Sequence, residues 1–144
     1  MPLGKICKGH IEGMSYDLGV WYPHKFLSDE EATDVYIRLC ESDTSGVSPH
    51  PAVHAFYVEL TTRYPEFEMV PEDRIDDSSY CPWSGALGKS PGHVIMSCVW
   101  SQAEAVEKFV CLLAHKHGLA VFNPQVNQIY YPTSSPFPKR EMWH

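Results

Sequence analysis

Basic residues are scarce in this chain. Eleven Lys and Arg stand against 18 Asp and Glu, a formal net charge of −7. That balance excludes binding to a phosphate backbone, which needs clustered cations, and disfavours an anionic membrane surface. It permits a basic protein partner. Long apolar runs are also missing. No stretch approaches the roughly 20 residues of a membrane span, and the opening MPLGKICKGHIEG lacks the apolar centre of a signal peptide. Paired cysteines are absent as well: Cys7, Cys40, Cys81, Cys98 and Cys111 are odd in number and contain no CxxC. Cys40, Cys98 and Cys111 fall in regular elements and read as small buried hydrophobes, which suits a reducing compartment and a cytoplasmic protein.

What is present fits one domain with one core. Residues 1–13 are polar, contain glycine and lack periodicity, so they read as a flexible leader or an appended, non-native segment. Residues 14–132 form a single domain, and 133–144 an irregular tail. Tyr16, Leu18, Val20 and Tyr22 alternate along a first strand that Pro23 ends. Ser28 and Glu31 form a capping box for a helix from about Asp29 to Glu41, with Ala32, Val35, Tyr36, Leu39 and Cys40 at helical spacing. Pro51 opens a second helix carrying Val53, Phe56, Tyr57 and Leu60, closed near Tyr64 by Pro65.

The run HVIMSCVW, apolar on both faces, suits a central strand in which Trp100 is core. Ser101 and Glu104 offer another capping box, before a third helix with Ala103, Val106, Phe109, Val110 and Leu113 on one stripe. His115, His117 and Gly118 punctuate its end. LAVFNP and NQIYYP are two short final strands. The order is β-α-α-β-α-β-(β). The fold class is therefore α/β, bordering on α+β: a single small mixed sheet with helices mainly on one face. The β-α-β unit from His93 to Phe122 makes its two strands parallel through a right-handed crossover.

Between the second helix and the central strand lies the most distinctive stretch, EFEMVPEDRIDDSSYCPWSG. Six carboxylates, Glu66, Glu68, Glu72, Asp73, Asp76 and Asp77, surround one Arg74 and lead into Tyr80, Cys81, Pro82 and Trp83. Long irregular segments inside compact domains are uncommon and tend to serve function. Acidic groups would steer and pair with a basic protein surface, while Tyr80 and Trp83 would supply contact area. A loop Trp folded back onto its own domain is the competing reading for Trp83.

Catalytic patterns are weak. His50 and His54 are four apart, but HPAVH lacks the glutamate of HExxH and spans Pro51, and His115 and His117 diverge at a helix end. Solvated or capping histidines explain them, so no metal and no cofactor is expected. Cys81 with a histidine, or Ser84 with His93 and Asp17, could be imagined as nucleophile sites. Upstream carboxylates would raise the Cys81 pKa, and no G-x-S-x-G elbow exists. Asp76 and Asp77 do not match a calcium loop, and GALGKSPG does not match a phosphate loop. No catalytic residue is assigned.

The segments SYDLGVWY, CPWSG, VIMSCVWSQAEA and HGLAVFNPQ carry a family likeness. From Met14 to Pro132 the chain resembles small bacterial proteins with a SYDL-like opening strand and an HGL–FDPQ-like closing segment. Some of these look like immunity proteins, the cytoplasmic antidotes of polymorphic toxins. Asn123 stands where the FDPQ-like element has aspartate. The resemblance implies a non-enzymatic protein that occludes a toxin, with a basic toxin domain as partner and neither nucleic acid nor membrane involved. It carries no catalytic residues and leaves the oligomeric state open. The alternative is a small hydrolase-like enzyme with a pocket at the strand carboxyl ends, near Trp100, Ser101, Phe122 and Asn123.

Overall fold

A computed structural model of the protein describes residues 15–140. The expectation of a leader over residues 1–13 lies outside them, as does the end of the expected tail. The fold is a small α/β arrangement built on one five-stranded sheet. Its elements are β1 (Tyr16–Trp21), α1 (Asp29–Cys40), α2 (Pro51–Arg63), β2 (Gly88–Ser90), β3 (His93–Cys98), α3 (Ala103–Lys116), β4 (Ala120–Asn123) and β5 (Gln128–Tyr130). The strand order is β2-β3-β1-β4-β5.

Every hydrogen-bonded pair is antiparallel, so the sheet is not mixed. β3 and β4 do run parallel to each other, because each lies antiparallel to β1, which fills the place between them. The strand missed by sequence is β2. Gly88-Lys89-Ser90 has no β-branched or aromatic residue, yet it pairs with β3 across a tight Pro91-Gly92 turn.

Helix boundaries follow the local chemistry. The Ser28 hydroxyl accepts from the Glu31 amide at 3.1 Å and the Glu31 carboxylate accepts from the Ser28 amide at 2.9 Å, completing the capping box. At α2 the cap is His50, whose Nδ1 accepts from the Ala52 amide at 3.1 Å. The second capping box does not form. Trp100–Gln102 makes a 3-10 turn, and α3 begins at Ala103 without a side-chain cap. Gly118 ends the segment at φ +71, a left-handed position that favours glycine.

Two cores flank the sheet. On one face α2 and α3 bring Val53, Phe56, Leu60, Val106 and Val110 against Leu18, Val20, Val94, Met96 and Val121. On the other, α1 packs Ala32, Val35, Tyr36 and Leu39 against Trp21, Phe122 and Ile129. Two helices thus share a face and the third covers its reverse. Gly19 eases this: a Cβ there would lie 3.0 Å from the Tyr36 ring, so a larger residue would require that ring to give by a few tenths of an ångström. Trp21, opposite the alternating apolar face of β1, is buried among the α1 residues.

The segment after Pro132 is irregular but attached. Phe137 packs edge-on against Tyr131, and Arg140 forms a two-pronged ion pair with Asp29 at 2.9 and 3.0 Å. Cys98 is a small buried hydrophobe as expected, and Cys111 is half-buried. Cys40 differs from expectation: it is half-buried and disulfide-bonded, not a free thiol. No helix among the described residues is long and apolar enough to cross a membrane.

Candidate functional site

The stretch from Glu66 to Trp83 leaves α2 at its C-terminal end and returns to the sheet beside β3. Two short 3-10 turns, Phe67–Met69 and Glu72–Arg74, give it its only regular backbone. The return is a narrow antiparallel contact. Trp83 bridges Cys98, the Ser84 amide donates to the Ser97 carbonyl at 2.9 Å, and the Val99 amide donates to the Pro82 carbonyl at 2.8 Å.

The eight residues expected to contact a partner divide into two groups. Glu66 and Trp83 are buried, and this corrects their assignment as surface contacts. Glu66 is 8% exposed. Its Oε1 accepts from the Leu87 amide at 3.1 Å, and its Oε2 accepts from the Tyr57 hydroxyl. One carboxylate thereby ties α2 to both ends of the loop, because a buried backbone N–H must find an acceptor. Burial and this bond push the Tyr57 hydroxyl up to about 12. Trp83 is 2% exposed, and its indole N–H donates to the Tyr64 carbonyl at 2.8 Å. The competing reading, a tryptophan folded back onto its own domain, is the one the structure bears out.

Glu68, Glu72, Asp73 and Asp76 are exposed, with Asp77 and Tyr80 partly so. Asp77 serves the loop itself. Its Oδ1 accepts from the Ser79 hydroxyl at 2.6 Å and the Ser79 amide at 3.0 Å, while Oδ2 meets Arg74 at 3.4 Å. These bonds, the Ser79 hydroxyl first, hold its carboxyl below the ordinary aspartate range. The Arg74 guanidinium also lies 3.6 Å from the centre of the Tyr80 ring. The loop's basic group is therefore engaged within the loop while its side chain stays 47% exposed, and among the described residues no ion pair reaches Glu68, Glu72, Asp73 or Asp76.

Sequence reasoning missed the apolar part of this surface. Phe67, Met69 and Ile75 are exposed between the carboxylates, Met69 by 60%. Their positions within an apparently charged stretch gave no period that would mark them as surface.

Cys81 is buried, and burial first, then the nearby Glu66, raises its thiol above the ordinary range. A reactive thiolate is the opposite case. His93 is buried with its Nδ1 2.6 Å from the Ser90 hydroxyl, and burial lowers its pKa. Its hydroxyl neighbour is thus Ser90 and not Ser84, whose hydroxyl donates to the Ser97 carbonyl at 3.1 Å. Among the described residues no group of three or more His, Cys, Asp or Glu side chains could hold a metal ion.

A second polar cluster sits where β3 and β4 end. The Tyr16 hydroxyl donates to Glu107 at 2.8 Å and accepts from the Asn123 amide at 3.1 Å. Asn123 Oδ1 in turn accepts from the Gln125 backbone at 2.9 Å and side chain at 2.6 Å. With its own proton given to Glu107, the tyrosine needs a donor, which asparagine supplies and aspartate would not. Burial raises both the Tyr16 and Glu107 pKa values. Beside this cluster Trp100 is 50% exposed, contrary to its expected place in the core.

Among the described residues, three cavities lie at the opposite end of the sheet. A cleft of about 840 Å³ runs beside Tyr22, His24, Asp34 and Arg38; one of about 400 Å³ adjoins His117 and Gly118; and one of about 340 Å³ adjoins Leu119 and Tyr130. None of the three is lined by Trp100, Ser101, Phe122 or Asn123.

No protein-family model, no curated protein and no solved structure matches the chain.

Proposed function

We propose that this chain is a non-enzymatic binding protein that engages a basic protein through the outer half of the 66–80 loop, and that the partner is a toxin it occludes. The observation that carries the binding reading is the exposure of Phe67, Met69 and Ile75 among the carboxylates Glu68, Glu72, Asp73 and Asp76. Apolar side chains ringed by one sign of charge form a contact surface with both burial and steering: desolvated apolar groups give residence time, and the field sets the approach. Glu66 and Trp83 fix the loop's two ends, which lowers the ordering cost on association. The toxin is supported by the likeness of SYDLGVWY and HGLAVFNPQ to immunity proteins.

The cytoplasm is part of this proposal. The free thiols at Cys81 and Cys98 favour it and the disulfide at Cys40 counts against it. Thiol titration of protein taken from its host under acid quench decides between them. The functional test is co-expression with the product of the neighbouring gene. Growth should be arrested by that product alone, restored by this protein, and restored poorly by a variant with Glu68, Glu72, Asp73 and Asp76 changed to the corresponding amides. A neighbour without toxicity, or full rescue by the variant, would sink the proposal.

A further inference from the structure

One of the three cavities forms where the chain folds back on itself twice. Gly118 turns the end of α3 toward β4, and the Leu119 amide donates to the Ala114 carbonyl at 2.8 Å. Ala114, Leu119 and Val121, all buried, line the cavity as an apolar floor. After β5 the segment from Pro132 returns past them. It is fastened by the Thr133 hydroxyl 2.9 Å from His115 Nε2, by Phe137 on Tyr131, and by Arg140 on Asp29. A space of about 340 Å³ is left between floor and returning segment.

The charge of this cavity is the reverse of the chain's. No Asp or Glu lines it, in a chain that has 18, whereas Lys139 and Arg140 both do. These two cations are not equivalent. The Arg140 guanidinium is already engaged by Asp29 through both of its terminal nitrogens. The Lys139 ammonium has three donors. It donates to the Ser135 carbonyl at 2.7 Å and to the Phe137 carbonyl, and among the described residues it has no carboxylate partner. Those carbonyls hold the amine in place and leave one donor and a whole positive charge. Lys139 is exposed, which puts that charge at the cavity's mouth.

An apolar floor with a single unpaired ammonium at its mouth suits a small amphipathic anion. We propose that this cavity binds a monocarboxylate with a short apolar body. The body lies against Ala114, Leu119, Val121 and Tyr130, and the carboxylate accepts from Lys139. One ammonium balances one charge. A phosphate dianion would call for the guanidinium fork that Asp29 occupies. At the ~30 Å³ that a water takes up in the liquid, the space holds on the order of ten non-hydrogen atoms, the size of octanoate. No residue of the 66–80 loop lines it, so the site stands apart from the proposed contact surface.

The test is titration of isotope-labelled protein with octanoate, octanol and octylammonium, followed by amide chemical shifts. Octanoate should give saturable shifts at Ala114, Leu119, Val121, Tyr130 and Thr133. It should bind roughly fivefold more tightly than octanol, and octylammonium more weakly than either. Lys139→Gln should bring octanoate down to the affinity of octanol and leave octanol unchanged. Thr133→Trp, at an exposed position of the lining, should fill the space and abolish the shifts from both. Circular dichroism checks that the variants are folded, and Lys139→Gln decides alone where Thr133→Trp is not. Absence of saturable shifts, or shifts centred on Phe67, Met69 and Ile75, overturns the site. Equal affinity for the three ligands, or octanoate binding unaltered in Lys139→Gln, overturns the carboxylate.

Discussion

Trp83 and Trp100 invite comparison. Both stand near the junction of the acidic loop and β3, and their fates are the reverse of what their settings in the sequence suggest. Trp83 follows a charged loop and is 2% exposed; Trp100 ends an apolar strand and is 50% exposed. The same division separates Glu66 from Glu68, two residues apart. One is buried under two hydrogen bonds, and the other faces water. Residue type sets what a side chain can do, while the path of the backbone decides whether it anchors the loop or faces solvent. The loop consists of buried fasteners at its ends and a charged, partly apolar rim between them.

Removing the fasteners should have the largest effect. Trp83→Ala should lower unfolding stability by about 3–5 kcal/mol, as other buried aromatic truncations do; denaturant titration measures it. A loss below about 1 kcal/mol would place Trp83 with the rim. Glu66→Ala should cost about 2 kcal/mol by leaving the Leu87 amide and the Tyr57 hydroxyl without their acceptor. Glu66→Gln, which keeps one carbonyl oxygen, should cost less, and equal losses would show that the bonds to Leu87 and Tyr57 are not the reason.

Rim substitutions should do little to the fold. Amides at Glu68, Glu72, Asp73 and Asp76 together should change stability by no more than about 0.5 kcal/mol. Asp77 lies between the two classes and is the sharpest local probe. Its folded pKa is depressed, so its support of the turn is present above the ordinary value of 3.8 and is lost as pH falls through the lower folded value. The amide proton shift of Ser79 should therefore titrate below 3.8. A midpoint at or above that value would mean that the Ser79 and Arg74 contacts are not made in solution.

Much of the fold was legible because it is locally encoded. The Ser28–Glu31 box, the stripe from Val106 to Leu113, the alternation in β1 and the turn at Gly118 all follow from neighbours in sequence. What failed depends on distant partners. β2 is a strand because β3 offers an edge, not because Gly88-Lys89-Ser90 prefers one. The placement of α1 on the reverse face brings Ala32, Val35, Tyr36 and Leu39 against Trp21, Phe122 and Ile129, residues far apart in sequence. In the candidate site the exposed carboxylates could be read from composition, but the burial of Glu66 could not, since Leu87 is 21 residues away. Asn123 stood out as a departure from a motif, and its donor role appeared only with Tyr16 beside it.

The most direct test of the loop as a steering surface is its association rate with the proposed partner, the product of the neighbouring gene, followed by stopped-flow over a range of salt. The native protein should associate quickly at low salt and slow steeply as salt is added. The variant carrying amides at Glu68, Glu72, Asp73 and Asp76 should associate at least tenfold more slowly at low salt, with a nearly flat salt response. Indistinguishable rates and salt dependence for the two proteins would contradict the account.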